Sequence, residues 1–176
     1  MKKTTFSKIL FLGAVIFCVF GLSSCKKNSD NPSSSDYYVK FKLDGADKQY
    51  TQTTAAVFTT QLPFYSCAMV GENAVSGTVY EGMGITIFND VAIAANVTYT
   101  DAEVGSLGTS QASLLYTDAT GAQSSSAFAT SPNVAVVITS MDDKTVTGTF
   151  SGTIVSTTDL TKSQTVTEGT FHLPRN

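Results

Sequence analysis

Apolar and polar residues are arranged in two unlike ways along this chain. Ile9 to Leu22 (ILFLGAVIFCVFGL) is continuously apolar, whereas from Tyr37 onward apolar and polar positions mostly alternate. Alternation is the period of a half-buried strand. Tyr37, Val39, Phe41 and Leu43 alternate with Tyr38, Lys40 and Lys42 and run into Asp44-Gly45, which predicts a first strand entering a hairpin. Further runs predict strands over 64–70, 76–83, 84–88, 97–100, 112–117, 127–130, 134–140, 145–156 and 164–173. The run 134–140 is apolar on both faces and is expected to be a central strand.

Composition supports this reading. The chain has 26 threonines and ten leucines, three of which precede residue 25, so β-branched residues stand where helix formers would be expected. The expected fold is all-β: a single antiparallel β-sandwich or flattened barrel of about eight to ten strands over residues 37–176. A closed, lipocalin-like barrel is the alternative architecture. One local echo adds detail, because Thr145-Val-Thr-Gly-Thr-Phe150 recurs as Thr165-Val-Thr-Glu-Gly-Thr-Phe171 with Glu168 inserted. The insertion puts Val166 and Phe171 on opposite faces unless a β-bulge at Glu168-Gly169 restores both to the core.

The apolar run has a different destiny. Lys2, Lys3 and Lys8 precede it and Ser23-Ser24 follow, the three regions of an export signal. As a helix it would cover about 21 Å, short of the roughly 30 Å hydrocarbon core. Its last residues with the next cysteine, Leu22-Ser23-Ser24-Cys25, resemble a bacterial lipobox. The resemblance implies that Leu22, Ser23 and Ser24 are read by the lipoprotein signal peptidase. It also implies that residues 1–24 are removed, that the Cys25 thiol carries a diacylglyceryl group, and that the new terminus is acylated with palmitate or a similar chain. Two or three acyl chains anchor stably, since each buried methylene contributes about 0.8 kcal/mol. Residues 26–36 (KKNSDNPSSSD) have no large apolar side chain and predict a flexible tether of roughly 18 Å root-mean-square span.

The formal charge of −3 includes the three signal-segment lysines, leaving near −6 once they are lost; with no basic stripe, nucleic acid is not an expected partner. Cys18 would leave with the signal and Cys25 carry lipid, so Cys67 stands alone and no intrachain disulfide is expected. The tether, the first strand to Asp44-Gly45, Val97-Thr-Tyr-Thr100, Val146-Thr-Gly-Thr-Phe-Ser-Gly-Thr-Ile154 and Val166-Thr-Glu-Gly-Thr-Phe-His-Leu-Pro174 together resemble small uncharacterised lipoproteins of Bacteroidota. That resemblance implies location and architecture, and brings no functional residues. Lys26 occupies the position where aspartate retains some lipoproteins in the inner membrane, so the outer membrane is expected, with the face open.

Catalytic chemistry finds little footing. His172, the one histidine, lies between Phe171 and Leu173 and is expected to face solvent. No serine sits in a Gly-x-Ser-x-Gly elbow, and Cys67 is expected to be a buried small residue. Asp142-Asp143 reads as a turn that caps amides, while Glu72, Glu81, Asp101 and Glu103 are scattered. Gly82-Met83-Gly84 reads as a strand irregularity and not a dinucleotide fingerprint. No catalytic, cofactor-binding or metal-binding residue is assigned, and no cofactor is expected. The expected function is a non-catalytic, lipid-anchored envelope domain that presents a surface to an unknown envelope protein or glycan. The alternative is a small-ligand or glycan-binding accessory of an outer-membrane uptake system, for which the seven tyrosines would line a concavity.

Overall fold

The computed structural model describes residues 36–61, 64–101, 111–129 and 134–176. The lipobox, Cys25 and nearly all of the tether therefore lie outside the described residues, as does Glu103. Among the described residues, eleven strands form one antiparallel sheet that is not closed. They are β1 (Tyr38–Leu43), β2 (Ala46–Tyr50), β3 (Thr53–Gln61), β4 (Phe64–Ser76), β5 (Val79–Asn89), β6 (Val97–Thr100), β7 (Gln111–Thr117), β8 (Gln123–Ser125), β9 (Ala135–Met141), β10 (Thr145–Ser156) and β11 (Ser163–Pro174). The all-β sandwich or flattened-barrel class expected from alternation is the one observed.

The sheet forks at β10. Its first half pairs with β9, whereas Val155 and Ser156 pair with Ser125 and Ser124 of β8. One arm runs β6–β9–β10–β11–β1–β2 and the other β8–β7–β5–β4–β3. The arms face each other. A Cβ placed on Gly71 of β4 would lie 2.6 Å from Val39 Cβ of β1, and one on Gly152 of β10 would lie 3.2 Å from Leu114 Cδ1 of β7. The Phe41 and Tyr116 rings meet edge to face with centroids 6.2 Å apart. Between the arms lie Val39, Phe41, Val136, Ile138, Val146, Phe150, Val166, Phe171 and Leu173 from one side, and Ala56, Cys67, Met69, Met83, Ile85, Ile87 and Leu114 from the other. Each strand contributes alternate residues, so one continuous core results.

The bulge falls where the echo places it. Phe150 pairs with Gly169 and Gly152 with Val166, while Lys40 pairs with Thr170 and Lys42 with Thr167. On both sides β11 spends one extra residue, and Glu168 takes φ +53°. Val166 and Phe171 are consequently both buried. Gly169 is required because a Cβ there would collide with the Phe150 carbonyl oxygen and ring.

Several details differ from the sequence reading. Residues 53–61 form β3, which was not expected, since TTAAVFTTQ shows no apolar-polar alternation. Where strands were expected at 76–83 and 84–88, Ser76 ends β4, residues 77–78 turn, and residues 79–88 belong to one strand, β5, in which Gly82 admits a close cross-strand approach to Glu72 and not a break. Where a strand was expected at 127–130, Ser126–Phe128 is one turn of 3-10 helix, with the Ser125 side chain accepting from Ala127 N–H. The expected central strand is β9, paired on one side with β10 and on the other with β6.

Candidate functional site

The densest polar cluster joins the two arms at the rim of the core. In the β1–β2 hairpin Lys48 lies opposite Phe41 and Tyr50 opposite Val39, so both point to the inner side. Glu81 on β5 shares the parity of the buried Met83 and Ile85, and Met83 pairs with Tyr116 of β7. Lys48 Nζ donates to Glu81 Oε1 at 2.7 Å, and Tyr116 Oη donates to the same oxygen at 2.6 Å. Burial works to raise the Glu81 carboxyl, but hydrogen bonds from Lys48 and Tyr116 outweigh it and hold the group below its ordinary value. Burial, followed by the neighbouring carboxylate, pushes the Tyr116 hydroxyl up. Burial does the same to Tyr50, and the neighbouring Tyr116 and Glu81 add to it. The result is an ionised carboxylate clasped between two donors, a cross-arm tie whose tyrosines keep their protons at neutral pH.

Two hollows lie on the outer face of the first arm around the bulge. One, of about 560 Å³, is lined by Ala135, Val137, Thr149, Ser151, Glu168 and Thr170 among others. The second, of about 410 Å³, is lined by Lys40, Lys42, Asp47, Gln49, Glu168 and Thr170 among others. No tyrosine lines either of these two hollows. Three of the tyrosines, Tyr50, Tyr99 and Tyr116, are instead buried in the core. Tyr99 Oη accepts from Ala94 N–H and donates to Ala94 C=O, fixing the segment before β6.

The remaining sequence candidates have structural employment. His172 faces outward as expected, stacked on Tyr37 with centroids 5.3 Å apart and with Nδ1 3.0 Å from Thr147 Oγ1. Cys67 is fully buried, and that burial pushes its thiol up to about 12, which removes thiolate reactivity near neutral pH. Asp142 Oδ1 accepts from the amides of Lys144 and Thr145 at 2.8 and 2.7 Å. Those bonds hold its carboxyl below the ordinary value. Asp44, at φ +50° in the β1–β2 turn, accepts from Thr165 N–H at 2.7 Å. Asp101 Oδ1 accepts from Val134 N–H at 2.9 Å. Among the described residues no group of three or more His, Cys, Asp or Glu could hold a metal ion, and no helix is long and apolar enough to cross a membrane.

The Lys48–Glu81–Tyr116 tie was not legible in the sequence, because its members are 33 and 35 residues apart and meet only after the arms fold over one another. Compared with known proteins, the chain matches no family model, no curated protein and no solved structure.

Proposed function

We propose that this chain is a lipid-anchored lipoprotein of the cell envelope, of the kind resembled by small Bacteroidota lipoproteins, and that its β-domain acts without catalysis by presenting a surface at the end of a tether. The observation that carries the reading is Leu22-Ser23-Ser24-Cys25 placed between the apolar run and the polar stretch 26–36. The order of segments supports it: cleavage before Cys25 puts the acylated residue at one end of the tether, and β1 opens at Tyr38, just past the other. A thiol at the membrane surface is the nucleophile that lipid transfer needs, and small residues before it let the backbone enter a protease at the bilayer boundary. Lys26 in place of aspartate favours the outer membrane.

Expression of the full chain with labelled fatty acid tests the reading. The wild-type protein is expected to incorporate label, shorten, and partition with the outer-membrane fraction. Cys25→Ser is expected to stay at precursor length without label. A Cys25→Ser chain that matures at the wild-type rate would overturn the anchor.

A further inference from the structure

Just past β11 the chain leaves its ladder and crosses to the other arm. Thr145 pairs with Pro174 at the end of the β10–β11 ladder, and proline has no N–H with which to continue it. Beyond it Arg175 N–H donates to Lys144 C=O at 2.8 Å, and Arg175 Nη1 donates to Asp142 C=O at 2.7 Å. Both acceptors belong to the turn between β9 and β10. Asn176 N–H then donates to Ala56 C=O of β3 at 3.0 Å, a parallel bridge joins Ala56 to Arg175, and the Arg175 guanidinium lies 4.5 Å from the centroid of the Phe58 ring. Residues 175–176 thus fasten β3, the far strand of the second arm, to the end of β11 in the first.

This strap lies over a particular part of the core. Phe58 stands directly opposite Cys67 in the β3–β4 ladder, and residues directly opposite share a face with their side chains in reach of each other. Phe58 is half-buried against the core, whereas Ala56 and Cys67 have no accessible surface. Arg175 is close enough to Cys67 for its charge to oppose the rise that burial imposes on the thiol. The fastening is slight beside the ladders it joins: two backbone bonds, one exposed side-chain bond and one ring contact, with Asn176 itself exposed. Few buried apolar contacts and exposed hydrogen bonds mark a segment that opens at a free energy well below that of global unfolding.

We infer that residues 175–176 are a strap that gates the seam between the two arms. Closed, it seals Phe58 and Cys67 from solvent; open, it admits water and small reagents to them while both arms stay folded. In the closed state the Cys67 thiol is inaccessible and protonated, and in the open state it regains the solvent that lets the reactive thiolate form. No other element has to move, because the β3–β4 and β10–β11 ladders are complete without residues 175–176. The gate is a property of the folded domain and does not depend on lipid at Cys25.

Alkylation of the full chain in detergent by N-ethylmaleimide, read at the Cys67 peptide by mass spectrometry, tests the gate. The wild-type rate at Cys67 is expected to be slow beside that of the urea-unfolded chain. It is also expected to stay nearly flat in urea up to the foot of the unfolding transition, because opening the strap exposes little surface. Arg175→Ala removes the ring contact and the bond to Asp142 and is expected to raise the rate about tenfold with an unchanged circular dichroism spectrum. A chain ending at Pro174 is expected to react faster still. Ile154→Val, fully buried at the opposite end of β10 from Thr145, lowers global stability without touching the strap and is expected to leave the rate unchanged. A rate that climbs with urea along the global transition, an Arg175→Ala rate equal to wild type, or an Ile154→Val rate raised as much as that of Arg175→Ala would each overturn the inference.

Discussion

The two arms of the sheet bury similar surfaces inward and turn unlike surfaces outward. On β1, β2, β10 and β11 the outward positions carry Lys40, Lys42, Asp47, Glu168 and His172 among threonines. On β3, β4, β5 and β7 they carry Ala55, Val57, Ser66, Ala68, Val70, Thr86, Phe88, Ser113 and Leu115, and among the described residues Glu72 is the one charged group there. The inner faces obey the demand of a shared core, so alternation reads the same in both. The outer faces answer to no such demand. A charged outside resists association and an uncharged one permits it.

If both arms belong to one core, breaking either from inside should cost the same order of stability. Phe171 in the first arm and Leu114 in the second are both essentially inaccessible. Phe171→Ala is expected to cost about 3–5 kcal/mol and Leu114→Ala about 2–5 kcal/mol, each shifting a single urea transition. Two separate transitions in either variant would show that the arms unfold independently. The next largest effect singles out the charged arm. Gly169→Ala forces a Cβ onto the Phe150 carbonyl and ring, and overpacking of this kind costs about 1–3 kcal/mol, sometimes more. The same substitution at Gly84 of the other arm meets Leu115 O only at 3.7 Å and is expected to be nearly neutral.

The bulge also measures what a sequence can reveal. Glu168 was legible as an inserted residue because the echo around it kept β10 and β11 comparable position by position, and burial parity then demanded a bulge. β3 was not legible, since alanine, valine and threonine fit either face and leave no period. The Ser126–Phe128 turn was hidden for a related reason: Ser125 can continue a strand or cap a turn, and here its hydroxyl caps Ala127. The outward turn of His172 and the burial of Cys67 followed from their neighbours' parity. The Lys48–Glu81–Tyr116 tie and the unequal outer faces depend on register between distant strands, which no local pattern carries.

Glu168 itself offers a milder probe of the charged arm. Its φ of +53° lies in the left-handed region, which costs a non-glycine residue roughly 1–2 kcal/mol. Glu168→Gly removes that strain and gives up an exposed ion pair with Lys42 at 2.9 Å, a kind of contact that adds little. A net gain of about 1 kcal/mol is expected in the urea midpoint. A loss would mean that the ion pair, and not the backbone, dominates this position.

The smallest effect comes from the one charge on the uncharged face. Burial raises the Glu72 carboxyl above its ordinary value, so the folded state holds that proton more tightly than the unfolded chain does. Below the unfolded value, near pH 4, both states are protonated and nothing is lost. As pH rises through the raised folded value, the cost of keeping a half-buried carboxylate appears, and at neutral pH it is fully present. Glu72→Gln removes it, and a gain below about 1 kcal/mol after solvent screening is expected at pH 7, shrinking to zero by about pH 4. Glu81, the clasped carboxylate on the neighbouring strand, has the opposite sign. Its lowered value supplies stability above the unfolded value that is lost as pH falls through the folded one, so Glu81→Gln should weaken the protein at pH 7. Urea midpoints of both variants across pH 3–7 separate a carboxylate that an uncharged surface merely tolerates from one that ties the two arms together.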